Sequence, residues 1–217
     1  MAAANSRYHA DGLETLIGTT GACRGEEGEM QLDEAQREVR EVYLGGWVGA
    51  FASAAVWLAS AALAAWSSPT NGALAIIFGG MLIFPLTMLG LRLLGRRATL
   101  SHENPLGKLA MQVAFTVPLT IPLILAAAQG RPEWFYAGFL IVVGAHYLPF
   151  VTLYGLPVFY PVAGIMVGAG FMLPRLRPGD FAFGGWVGGA MFVVLGLLLA
   201  VLHARESRGV PRPAHSP

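Results

Sequence analysis

The stretch Gly138-Phe-Leu-Ile-Val-Val-Gly-Ala-His-Tyr-Leu-Pro-Phe-Val-Thr-Leu-Tyr154 decides the fold class. It approaches the roughly 20 apolar residues that a bilayer crossing needs, and it carries His146 near its middle. The rest of the chain has a matching composition. Of 217 residues 55% are hydrophobic and 12% charged, about half the charged share of a soluble domain, so lipid must solvate most of it. A net charge of +1, with no basic run interleaved with aromatics, excludes nucleic acid as a partner. Cys23 is the only cysteine, which excludes an internal disulfide and a cysteine metal cluster. Lys108 is the only lysine, and so strong a bias toward arginine fits a GC-rich bacterial genome.

Working outward from this stretch, apolar length predicts six spans: Leu44 to Trp66, Ala73 to Leu94, Leu109 to Ala128, Trp134 to Tyr154, Leu156 to Leu173 and Phe181 to His203. The fold class is all-α, a polytopic bundle of six transmembrane helices over 44–203. The fourth and fifth spans are joined only by Gly155-Leu-Pro157, which demands a tight hairpin or, as the alternative, a re-entrant segment. Ahead of the bundle, Leu32, Ala35, Val39 and Val42 recur at helical spacing, with Asp33–Arg37 and Arg37–Glu41 as four-apart pairs, so 30–43 reads as an amphipathic juxtamembrane helix. Residues 1–29 read as a disordered extension, with Met30 as an alternative start, and 204–217 as a disordered tail. The six-span topology puts Arg37, Arg40, Arg92, Arg96, Arg97, Lys108, Arg205, Arg208 and Arg212 on the N-terminal side, against Arg131, Arg175 and Arg177 opposite. That asymmetry predicts cytoplasmic termini in an inner membrane.

The polar residues inside the spans are few enough to name. His146 is the one ionisable side chain near the centre of a span, which makes it a functional candidate or a neutral histidine bonded to a neighbour. On the third span Gln112, Thr116 and Thr120 lie four apart and cover roughly 80° of one face. Pro118 and Pro122 should free the carbonyls of Ala114 and Pro118, leaving a kinked packing helix or a broken helix that lines a substrate path. Pro85 with Thr87, and Pro149 with Thr152, repeat that chemistry in the second and fourth spans. Tyr147 and Tyr154 share a face beside His146, so the expected cavity is lined by Gln112, Thr116, Thr120, His146, Tyr147, Thr152 and Tyr154.

Small residues four apart mark close helix approaches: Gly45, Gly49 and Ser53; Gly164 and Gly168; Gly184 with Gly188 and Gly185 with Gly189. They predict packing within one subunit or, as the alternative, a homodimer face. In the loop at 95–108, Ser101 to Asn104 should cap the third span with Pro105 in its first turn, while Glu103 pairing with Arg96 or Arg97 is the alternative use. No second histidine or carboxylate stands at ligand spacing from His146, so no metal is expected, and no catalytic motif or cofactor signature is present.

The blocks Gly79-Gly-Met-Leu-Ile-Phe-Pro-Leu-Thr87, Glu103-Asn-Pro-Leu-Gly-Lys-Leu-Ala-Met-Gln-Val-Ala-Phe-Thr-Val-Pro118 and Ala145-His-Tyr-Leu-Pro-Phe-Val-Thr-Leu-Tyr-Gly155 together resemble an uncharacterised family of bacterial multi-pass membrane proteins that carries a domain of unknown function. The resemblance runs from about Met30 to His203. It implies a helical inner-membrane protein and supplies no substrate. The residues lead to a permease, channel or sensor for a small molecule, with its site between the third and fourth spans. The rival is a non-transporting scaffold or accessory subunit that binds a partner through its glycine faces.

Overall fold

A computed structural model describes residues 30–209 of the chain. The expected extension over 1–29 and the end of the tail lie outside the described residues. Among the described residues the order is α1 (Leu32–Val42), a short 3₁₀ turn (Leu44–Gly46), α2 (Trp47–Trp66), α3 (Pro69–Leu93), α4 (Leu106–Ala127), α5 (Trp134–His146), α6 (Leu148–Tyr154), α7 (Phe159–Leu176) and α8 (Phe183–Gly209). Six helical segments are long and apolar enough to cross a membrane: Leu44–Trp66, Pro69–Leu93, Leu106–Ala127, Trp134–Tyr154, Phe159–Leu176 and Phe183–Arg208. The fold is an all-α polytopic bundle with an amphipathic helix at its N-terminal side.

Local chemistry explains where these boundaries depart from the apolar runs. Ser68 accepts from the Asn71 N–H and Pro69 fills the first helical position, so α3 starts before its first long apolar residue. The fifth span starts late because Gly155, at φ 65°, ends α6 in the left-handed region and Pro157 follows. The last helix runs through Gly209, past the expected end at His203.

The joint between α1 and α2 is a run of three positive φ values: Leu44 at 52°, Gly45 at 66° and Gly46 at 90°. A leucine in that region costs on the order of 1–2 kcal/mol. It is held there because its side chain, 5% exposed, sits among Val48, Leu91 and Ala98. The joint turns the chain from the amphipathic α1 into the first of the helices apolar enough to cross a membrane.

In lipid the hydrophobic effect does not pull helices together, because acyl chains are as apolar as leucine; shape and hydrogen bonds must do so instead. α2 therefore lies between α3 and α8, and α5 packs on α7 while touching α4 and α8. Gly188 and Gly189 of α8 face Trp57 and Leu58 of α2, and a Cβ at Gly188 would fall within the Trp57 ring. That ring, 2% exposed, tilts against Tyr136, Phe139 and Phe192. Ser60 closes this knot: it donates to the Gly72 carbonyl at 2.8 Å and lies 2.5 Å from the Tyr136 hydroxyl. With the Ser60 hydrogen committed to Gly72, the Tyr136 hydroxyl is the donor to Ser60.

Candidate functional site

The fourth span crosses as two helices. Pro149 cannot donate to the Ala145 carbonyl, and it occupies the first turn of α6, where its missing N–H is harmless. Around the interruption the backbone tightens: the Tyr147 N–H is shared between the Val143 and Gly144 carbonyls, and Phe150 donates to the Tyr147 carbonyl at 3.1 Å. His146 is the last residue of α5 and stands at the interruption itself.

Across from it, α4 stays one helix over Leu106–Ala127 despite Pro118 and Pro122. The threonines bond carbonyls near the freed ones: Thr116 reaches Val113, and Thr120 reaches Thr116 and Val117. This is the three- and four-residue backward reach of a helical threonine hydroxyl. The third span is thus the continuous packing helix of the two alternatives, and the interruption belongs to the fourth span.

Thr116 Oγ1 lies 2.8 Å from His146 Nδ1 and 2.7 Å from the Val113 carbonyl. A hydroxyl has one hydrogen, and the carbonyl can only accept, so Thr116 donates to Val113 and His146 Nδ1–H donates to Thr116. In the neutral ring Nε2 then keeps a free lone pair. Val113 and Ile124, both buried, mark the packing face of α4, and Gln112, Thr116 and Thr120 run along its edge. Gln112 and Thr116 are exposed and Thr120 is half-buried. The Thr116–His146 bond ties the seam between α4 and the α5–α6 junction, with Gln112 and Thr120 one turn either side of Thr116 on α4.

Of the two tyrosines, Tyr147 meets the His146 ring edge-on at 6.0 Å, and both pack into an aromatic cluster. Tyr147 stacks on Phe159 at 5.7 Å and leans on Phe192, and Tyr154 stacks on Phe150 and tilts against Phe159. Both rings are buried, Tyr147 between α6, α7 and α8, and Tyr154 between α6, α7 and the turn at Gly46. Thr152 has an exposed side chain, and its carbonyl accepts from Gln36 Nε2 at 2.7 Å.

That last bond introduces residues that the sequence pattern had not singled out. Helix α1 lies against the ends of three spans. Its Glu38 carboxylate accepts from the Ser101 N–H at 2.6 Å, the Ser101 hydroxyl at 2.9 Å and Asn104 Nδ2 at 2.7 Å. Asn104, 5% exposed, also donates to the Ala35 carbonyl and accepts from the Leu106 N–H, so it caps α4 and holds α1 at once. Arg40 donates to the Tyr154 carbonyl at 2.6 Å and pairs with Glu206 at 2.9 Å. Partial burial works against the charge on Glu38, yet the bonds from Asn104 and Ser101 outweigh it and hold the carboxyl below its ordinary range. Glu103, Arg96 and Arg97 are exposed and form no ion pair among the described residues.

With the geometry in view, comparison with known proteins places the chain. Residues 32–205 match the model of a family of unknown function, DUF7010. The chain belongs to that family. No curated protein and no solved structure matches it. Within this DUF7010 chain the glycine faces divide in two. Gly45 abuts His203, Gly49 approaches Thr87, and Gly184, Gly185, Gly188 and Gly189 meet Tyr136, Ala61, Trp57 and Leu58, so these faces are filled by the chain itself. Ser53 is buried and bonds the Gly49 carbonyl. Gly164 and Gly168 are exposed on α7, with open space where a Cβ would stand. Among the described residues no three His, Cys, Asp or Glu side chains gather as metal ligands would.

Proposed function

We propose that this integral membrane protein binds or passes a small molecule at the seam between α4 and the α5–α6 junction, as a permease, channel or sensor. The observation that carries the reading is the interruption of the fourth span at His146, with its Nδ1 hydrogen spent on Thr116 and its Nε2 lone pair left to accept. Discontinuous spans put unpaired backbone groups at membrane depth, where transport proteins bind their solutes. Exposed Gln112 and Thr116 support the same reading, since polar side chains at that depth need a polar partner. The chemistry suits a neutral solute that donates a hydrogen bond. The absence of a carboxylate at the depth of His146 argues against a strongly proton-coupled pump. The basic residues gathered on the α1 side, Arg37, Arg40, Arg92, Arg96, Arg97, Lys108, Arg205 and Arg208, support cytoplasmic termini in a bacterial inner membrane.

The test is thermal unfolding of the detergent-purified protein, wild type and His146→Ala, against a panel of metabolites and metal ions at about pH 5.5 and 7.5, on either side of an ordinary histidine pKa. A ligand shift lost in His146→Ala supports the seam. No shift with any compound, together with a uniformly less stable variant, favours a second reading, a scaffold that binds a partner or its own copy through the open Gly164 and Gly168 face.

A further inference from the structure

We infer that α1 is a strap that holds the seam closed, an inference that rests on reading the seam as the working part of the molecule. The seam has two sides, α4 and the α5–α6 junction, and α1 grips one element of each at its end. On α4 the grip is at the N-terminus, through Glu38 to Ser101 and Asn104, the latter bonded to the first N–H of that helix. On α6 it is at the C-terminus, where the Thr152 and Tyr154 carbonyls have no acceptor role left within so short a helix and are taken by Gln36 and Arg40. A cationic guanidinium at a helix C-terminus is favoured by the local dipole as well as by the hydrogen bond.

Three features set this apart from a merely decorative surface helix. The contacts are polar on both flanks of α1 and apolar beneath it, where Ala35 is fully buried and Val39 2% exposed. Gly155, at φ 65°, lets α6 end directly under α1; a Cβ there would meet the Gln36 amide and come within 3.2 Å of Arg40. Finally, the main neighbours of α4 are α5, α6 and α1 itself. Removing the strap thus removes one of three supports of the helix that carries Thr116, and leaves the short α6 with its last carbonyls bare. The Thr116–His146 bond then becomes the main polar tie across the seam.

The experiment uses the full chain in lipid nanodiscs, with Cys23→Ser as background and Val113→Cys as the probe, because Val113 is 4% exposed on the packing face of α4. Labelling by a water-soluble maleimide is timed with the strap intact, with Glu38→Ala and Arg40→Ala together, and with the strap fastened by a disulfide between Glu38→Cys and Ser101→Cys. The strap inference expects labelling about tenfold faster or more in the double alanine variant, and slower than the intact strap in the disulfide form until reductant is added. In the disulfide form the maleimide pulse comes first and is quenched before any reduction, and the label on Val113→Cys is read by peptide mass spectrometry, apart from the thiols at 38 and 101. Equal labelling in all three forms, with protease cleavage within 32–42 showing that α1 has come away in the alanine variant, overturns it. If the alanine variant fails to fold, the reductant-dependent change in the disulfide form decides alone. A strap that controls labelling while no ligand shifts unfolding keeps this inference and sinks the ligand reading; a ligand shift without strap control does the reverse.

Discussion

Two pairs of helices cross the membrane side by side and are joined by opposite means. Helices α2 and α8 meet through glycine, with Gly185, Gly188 and Gly189 set against Ala61, Trp57 and Leu58. Helices α4 and α5 meet beside a histidine and a threonine, and much of α4 is bare: Phe115, Leu119 and Leu123 are 55%, 76% and 69% exposed. The first contact is wide, apolar and shaped to one partner, so it has no second arrangement of similar energy. The second rests on a hydrogen bond near an interrupted span, and such a bond can be exchanged for one to water or a solute. One contact is fixed by shape, and the other rests on a bond that can be exchanged.

The sharpest way to break that contrast is Gly188→Leu. A side chain driven into the Trp57 ring should cost roughly 3 kcal/mol or more, beyond ordinary overpacking, and abolish the monodisperse folded species in detergent. A well-folded variant, seen by size-exclusion chromatography and circular dichroism, would mean that α2 and α8 are not locked. Next in size, Gly155→Ala combines a positive φ with collision against Gln36, and should cost on the order of 1–2 kcal/mol and loosen α1, measured as faster hydrogen exchange over 32–42.

The docking of α1 should also depend on pH. The Glu38 carboxyl is held below its ordinary range in the folded chain, so its contribution is complete above the unfolded pKa of about 4.3 and is lost as pH falls through the lower folded value. Protection of 32–42 against exchange, taken relative to the intrinsic rate at each pH, should fall in that acid window, and Glu38→Gln should flatten the response; wild-type protection that is constant down to about pH 3 would remove Glu38 from the strap. Ser60→Ala should lower stability by about 0.6–1.7 kcal/mol for each of the two hydrogen bonds between membrane helices that it removes, visible as a drop in Tm. Gly164→Leu should do nothing to the monomer, because open space awaits the side chain. If it instead dissociates a dimer on native mass spectrometry, the open face of α7 is occupied, and the scaffold reading gains.

What was legible in the sequence follows the same division. The spans could be read because apolar length is a local property, and the fourth was placed at Trp134–Tyr154 with both bounds in agreement. His146 and Thr116 could be selected as polar exceptions within apolar runs, though not their mutual bond, which joins residues 30 apart. Of the two alternatives for the third span, the continuous packing helix is the one that forms, because a helix tolerates proline wherever its neighbours absorb the loss; the interruption at Pro149 was not separable from the similar proline signals at 85, 118 and 122. The strap was not legible at all. Arg37, Glu41 and Asp33 invited a reading as four-apart pairs on one helix, while the partners that matter to α1, Ser101, Thr152 and Glu206, are distant in sequence. An arginine and a glutamate at the same membrane side of the first and last helices were the available signal.

The reach of Arg40 to Glu206, over 166 residues, sets an order of events during biosynthesis. α1 leaves the ribosome first among the described helices, yet the last of its anchors is among the final residues of α8 to emerge. Until the end of α8 has been made α1 has no complete berth, and a nascent chain arrested within α8 would present an undocked α1. Insertion of six spans is thereby reported at one place, by whether the first helix has found the last.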